Sequence, residues 1–218
     1  MEYAYTMIRV GTSGWNYDHW KGPFYPEDLD QSDWLGYYAR RFSTVEVNNT
    51  FYSLPDQDTV DGWRQTPKSG FLFSVKASRY LTHMKKLKPA PDSLSTFLGC
   101  AEAFGDKLGP LLFQLPPNWR ANPDRLRSFI ESLESHATGS PRAVFEFRDE
   151  SWFTNEVYRV LEAHDCAFCI YELAGLQSPA VVTAPFVYVR LHGPGDAYQG
   201  SYDDHAPFNA KTLMTMLR

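Results

Sequence analysis

The sequence predicts an α/β protein with a parallel sheet, closed as a (β/α) barrel or doubly wound, and three observations carry that expectation. The chain has 218 residues, which suits one large domain over residues 1–218. Short β-branched or aromatic runs alternate with longer helix-compatible segments, the pattern of βαβ units. In six of the seven runs the polar residues gather at the carboxyl end and share one parity, so they face one side of the sheet. In a (β/α) barrel the outward side packs on helices and the inward side at the strand carboxyl ends forms the floor of the site.

The first strand is expected over residues 8–12, followed by a loop carrying Trp15, Tyr17, Trp20 and Tyr25. A helix over 34–41 leads to a strand over 44–48, where Glu46 and Asn48 oppose Val45 and Val47. Phe51 and Tyr52 follow, then a helix over 57–65. In the strand over 71–76, Ser74 and Lys76 oppose Phe73 and Val75, with His83 in the loop beyond. A helix over 92–104 stops at Gly105, and the strand over 111–115 turns Gln114 away from Phe113 and Leu115. Asn122-Pro123 starts a helix over 123–136 that Gly139 closes. In the strand over 143–148, Glu146 and Arg148 oppose Phe145 and Phe147, and Trp152 and Phe153 lie just past it. Thr154 starts a helix over 154–164. The strand over 167–172 puts Glu172 on the face of Phe168 and Ile170, and the strand over 186–192 turns Arg190 and His192 away from Val187, Val189 and Leu191. Gly193-Pro194-Gly195 then suggests a phosphate-binding loop after a late barrel strand, a weak signal because Asp196 follows at once.

Composition narrows the function. Lys and Arg number 21 against 26 Asp and Glu, a net charge of −5, so the chain lacks the basic footprint of a duplex binder and nucleic acid is not the expected partner. Aromatics at 16%, with 6 Trp and 13 Tyr, exceed what core filling asks for and suggest rings lining a wet cleft. No run approaches the roughly 18 apolar residues of a membrane span. The N-terminus shows no basic region followed by an apolar core, and three cysteines form no disulfide framework, so a reducing cytoplasm is expected. Cys166 and Cys169 make a Cys-x-x-Cys, but within a strand, where burial rather than redox chemistry is expected.

The expected floor is Glu46, Asn48, Lys76, Gln114, Glu146, Arg148, Glu172, Arg190 and His192. It holds three carboxylates and three cations, which could close into a structural ion-pair network. Desolvating six charges costs several kcal/mol per ion before pairing offsets it, which favours a functional reason. Glu46 and Glu146 are the candidate acid–base carboxylates and His192 the candidate proton shuttle. Arg148 and Arg190 suit a planar anionic group, and Lys76 adds a point charge. Asn48, Gln114, Trp15, Tyr17, Tyr52, His83 and Trp152 complete the substrate-binding set. No paired histidine spacing marks a metal site, and the cations on the floor would repel a dication, so neither metal nor cofactor is expected.

The blocks Gly11-Thr-Ser-Gly-Trp-Asn-Tyr17, Thr44-Val-Glu-Val-Asn48 with Thr50-Phe-Tyr-Ser-Leu-Pro55, Phe73-Ser-Val-Lys76 with Thr82-His83, Leu108 to Pro117, Glu146-Phe-Arg148 with Ser151-Trp152, and Tyr188 to Gly193 resemble the YecE-like family, domain of unknown function 72. The resemblance covers about residues 8–202. It implies a TIM-type barrel and no settled reaction. It also implies an internal deletion near residues 202–203, removing one helix and the eighth strand, so seven strands are expected. A helix over 208–217 would then cross the opening, and the exposed strand edges would invite oligomerisation. The functional expectation is a hydrolase or lyase acting on a small anionic, phosphorylated sugar- or nucleotide-like substrate by carboxylate acid–base catalysis. The alternatives are a ligand-binding or sensor module without turnover, and a metal-dependent phosphodiesterase acting on nucleic acid.

Overall fold

The computed structural model describes residues 7–173 and 176–192. The chain divides into two compact units, one of residues 1–112 and 131–141, the other of residues 113–130 and 142–218. The expected segments around residues 193–195, 202–203 and 208–217 lie outside the described residues.

In the first unit, β1 (Thr44–Val47) pairs in parallel with β2 (Leu72–Lys76), which pairs in parallel with the first part of β3 (Leu108–Gln114). Helices α1 (Trp34–Tyr38), α2 (Gln57–Gln65) and α3 (Pro91–Glu102) intervene. Asp56 caps α2 by accepting the Thr59 backbone N–H at 2.8 Å, and Pro91 sits at the first turn of α3, where its missing N–H costs nothing. Val45, Val47, Phe73 and Val75 are at most 1% exposed, as the alternation requires. A five-residue π-helical turn at Tyr80–Met84, followed by positive φ at Lys86 and Leu87, was not legible from the residues.

The expected first strand does not form. Residues 8–12 carry no strand, and pairing with β1 shrinks to a single parallel bridge, Ser13 with Glu46. Glu46 N–H donates to Thr12 O and Gly14 N–H donates to Glu46 O, both within 3.0 Å. Upstream, the Tyr38 hydroxyl accepts the Thr12 N–H and donates to Thr44 O, the two groups that a continued strand would have joined directly, while the Arg9 guanidinium donates to the carbonyls of Ser43 and Gly70. Met7, Ile8 and Val10 stay mostly exposed, so apolar burial does not hold this segment flat against β1.

In the second unit, β4 (Ala143–Glu146) pairs in parallel with β5 (Ala167–Leu173), and β5 with β7 (Tyr188–Leu191). The end of β3 lies beside β4, with Leu115 N–H donating to Glu146 O at 2.8 Å. A two-residue β6 (Leu176–Gln177), which the period did not reveal, turns back antiparallel on β5. Helix α4 (Pro123–His136) begins in this unit, with Asn122 Oδ1 accepting the Arg125 N–H. Helix α5 (Asn155–Ala163) is capped by Thr154. Phe113, Phe129, Phe145, Phe147, Phe168 and Trp152 stack through successive ring contacts into the core of the helix-facing side. Their parity leaves Gln114, Glu146 and Arg148 on the opposite side of the sheet. No helix among the described residues is long and apolar enough to cross a membrane.

Candidate functional site

Four of the expected floor residues meet in the second unit. Glu146 is fully buried at the end of β4. Its Oε2 accepts from Arg190 Nη1 at 2.6 Å, and its Oε1 accepts from the Arg148 guanidinium. Burial alone would raise the Glu146 pKa, but Arg190 and then Arg148 outweigh it and hold the carboxyl below the usual range. Arg148 Nη2 and Arg190 Nη1 both approach His192 Nε2, at 3.2 and 3.3 Å. A guanidinium can only donate, so in these contacts Nε2 is the accepting atom.

Two further residues belong here that the pattern alone did not single out. Cys169 Sγ lies 3.7 Å from Glu146 Oε2, and the Arg148 guanidinium stands 4.8 Å over the Tyr171 ring. Tyr171 OH is anchored on Phe147 O at 2.6 Å, and burial pushes its pKa up. Cys169 and Tyr171 share a parity opposite to Glu172, so the alternation of β5 excludes Glu172 from this face. Glu172 is 1% exposed, and its Oε2 has no hydrogen-bond partner among the described residues. Gln114 is half-buried at the end of β3, on the side away from Phe113.

The first unit gathers a separate set. Ser13 Oγ donates to Glu46 Oε1 at 2.9 Å, Asn48 Nδ2 donates to Ser13 Oγ at 2.6 Å, and Tyr17 OH donates to Ser13 O. Gly14 has φ +88°, and a Cβ there would meet the Tyr17 hydroxyl at 2.6 Å, so glycine is what lets this turn close. Lys76 Nζ stands 4.5 Å over the Phe51 ring, and His83 meets that ring edge-on at 5.0 Å, its Nδ1 bonded to Thr82 Oγ1. Tyr52 is 83% exposed beside Phe51.

The structure does not bring Trp15 and Trp152 to either set. Trp15 packs on Trp63 and Phe73, and Trp152 is fully buried on Phe147 with its indole N–H on Trp119 O at 2.6 Å. Tyr25 and Tyr38 are also core, their hydroxyls donating to Trp15 O and Thr44 O. Backbone carbonyls thus satisfy polar tips that the composition suggested were facing a wet cleft. Among the described residues no three His, Cys, Asp or Glu side chains group as metal ligands.

A parallel α/β sheet carrying a buried carboxylate clamped by two guanidiniums and an imidazole at its strand ends defines the class of protein. Residues 9–218 match the family model described as protein of unknown function DUF72, and the chain belongs to that family. UPF0759 protein YunF of Bacillus subtilis is 27% identical over 159 residues, 70% of this chain and 54% of YunF. UPF0759 protein YecE of Escherichia coli K12 is 29% identical over 129 residues, 59% of this chain and 44% of YecE. The chain therefore spans about half the length of these curated relatives. The crystal structure of a DUF72 family protein from Thermotoga maritima superposes with a TM-score of 0.76 at 28% identity, covering 97% of this chain and 85% of that one. A DUF72 family protein from Enterococcus faecalis gives 0.70 at 18% identity, over 91% and 75%, which is a likeness of fold.

Proposed function

We propose that this chain is a TIM-type (β/α) barrel protein that binds a small anionic, phosphorylated sugar- or nucleotide-like molecule at Arg148 and Arg190 and acts on it as a hydrolase or lyase. The observation that carries the reading is the use Arg148 makes of its donors. Nε and Nη2 are spent on Glu146 and His192, while Nη1 has no hydrogen-bond partner among the described residues. Glu146 and His192 thus hold the guanidinium in one orientation with a donor edge to spare, the arrangement that suits a phosphate or carboxylate oxygen. Held ionised by its two partners, Glu146 is a poor proton donor near neutrality, and its role is to position the guanidiniums. The imidazole of His192 is the group suited to moving a proton. Cys100, Cys166 and Cys169 form no disulfide among the described residues, which supports placing the protein in a reducing cytoplasm.

The complete pairing of Glu146 favours a second reading, a binding or sensor module without turnover. Thermal shift with inorganic phosphate, followed by a phosphorylated-metabolite panel assayed for product, separates the two. Phosphate should stabilise the wild type by mass action and fail to stabilise Arg148→Ala. Product from any panel member supports the enzyme, binding without product supports the sensor, and an equal phosphate response in both proteins sinks the anion site.

A further inference from the structure

We propose that the first unit carries a subsite for the hydroxyl groups of a sugar, built on the buried amide oxygen of Asn48 and floored by Ser13 and Glu46. The Ser13 hydroxyl has one proton, and it goes to Glu46 Oε1 at 2.9 Å. Ser13 Oγ can then meet Asn48 only as an acceptor, which requires Nδ2 rather than Oδ1 at the 2.6 Å contact. The amide is thereby locked with Oδ1 pointing away from Ser13. That oxygen is buried and has no hydrogen-bond partner among the described residues, an arrangement that costs stability until a donor reaches it.

The surroundings choose the ligand chemistry. A carbonyl oxygen beside the Glu46 carboxylate repels an anion at this spot. The strand register pairs Val47 with Val75, which puts Asn48 and Lys76 at the same level at the ends of β1 and β2, and an ammonium at that level opposes a metal cation. A neutral O–H donor fits both constraints. Phe51, with Lys76 over its ring, and the exposed Tyr52 beside it offer aromatic faces for the C–H side of a sugar ring. Tyr17 OH on Ser13 O and the Ser13–Glu46 backbone bridge hold the floor in place before ligand arrives. The subsite goes beyond the proposed reading and stands on residues of the first unit alone.

The test is an NMR titration of the full ¹⁵N-labelled chain with D-ribose, run separately from inorganic phosphate. Ribose should move the Asn48 side-chain amide signal, and Asn48→Ala should weaken ribose binding about tenfold while the phosphate thermal shift persists. Ser13→Ala, which unlocks the amide but keeps the acceptor, should give a smaller loss. An Asn48 amide unmoved by ribose in the wild type, or wild-type ribose affinity in Asn48→Ala, overturns the subsite even if either variant folds poorly. Ribose binding without a phosphate response would instead overturn the anion site of the second unit and leave this one standing.

Discussion

Arg190 on β7 reaches over Cys169 of the intervening strand β5 to place its Nη1 2.6 Å from Glu146 Oε2 on β4. Two strand spacings, roughly 10 Å, separate the backbones that this ion pair joins. The span is possible because the residue between them is small. Cys169 pairs with Tyr188 while Arg190 pairs with Tyr171, so the arginine enters from one level above the thiol and slants down to the carboxylate.

That geometry makes Cys169 a spacer. Cys169→Ser should leave the ion pair intact and cost little, whereas Cys169→Phe should overpack the face, push Arg190 off Glu146 and destabilise by about 1 to 3 kcal/mol. Chemical denaturation of both variants checks this. Equal stability of the phenylalanine variant and wild type would show that Arg190 does not need the space.

Glu146→Gln should be among the most damaging single substitutions in the second unit. It leaves two guanidiniums in a buried place without their counter-charge, a loss of about 3 to 5 kcal/mol. The penalty should depend on pH. A carboxyl whose folded pKa lies below its ordinary 4.5 contributes stability that is fully present above that value and is lost as pH falls through the folded pKa. Urea titrations should therefore show the wild-type advantage at pH 7 shrinking below about pH 4.5, with the Gln variant lacking that component. A gap that stays constant down to pH 3 would mean that Glu146 does not titrate as the geometry requires.

Gly11→Ala tests the placement of the segment before Ser13. A Cβ at residue 11 would lie 2.1 Å from Thr44 O, a backbone atom that cannot swing aside. The variant should lose about 1 to 3 kcal/mol and release the protection of the Glu46 amide, which donates to Thr12 O. Hydrogen exchange at Glu46 unchanged from wild type would place this segment away from β1.

How much of this was legible in the residues depended on which physical rule governed each position. Period and parity located β1 to β5 and β7 and brought Glu146, Arg148, Arg190 and His192 to one face, because alternation is a backbone property that neighbours do not override. The same rule, applied strictly to β5, points to Cys169, for which the residues suggest only ordinary burial, and to Tyr171, which looks like a core residue by type. Glu172 drew notice by its charge, and its parity is the wrong one. Residues 8–12 read as a strand because composition reports propensity, whereas pairing also needs the Thr12 N–H and the Thr44 carbonyl to meet, and the Tyr38 hydroxyl stands between them. Trp15 and Trp152 read as cleft rings because a sequence does not show whether a carbonyl such as Trp119 O is waiting for the indole.

His192 gives the sharpest test of the cluster's chemistry. Its Nε2 accepts from two guanidiniums, so ¹⁵N spectra of the imidazole near neutral pH should show Nδ1 protonated and Nε2 bare. His192→Gln keeps an acceptor oxygen close to the position of Nε2 and should cost less than about 1 kcal/mol. His192→Phe keeps the volume but strands two buried N–H groups, each worth about 1 to 3 kcal/mol when left without a partner. The ordering Gln milder than Phe separates an acceptor from a space-filling ring. Should Phe prove as stable as wild type, or should Nε2 carry the proton, His192 does not act as the acceptor that orients Arg148, and the spare donor edge of that arginine loses its support.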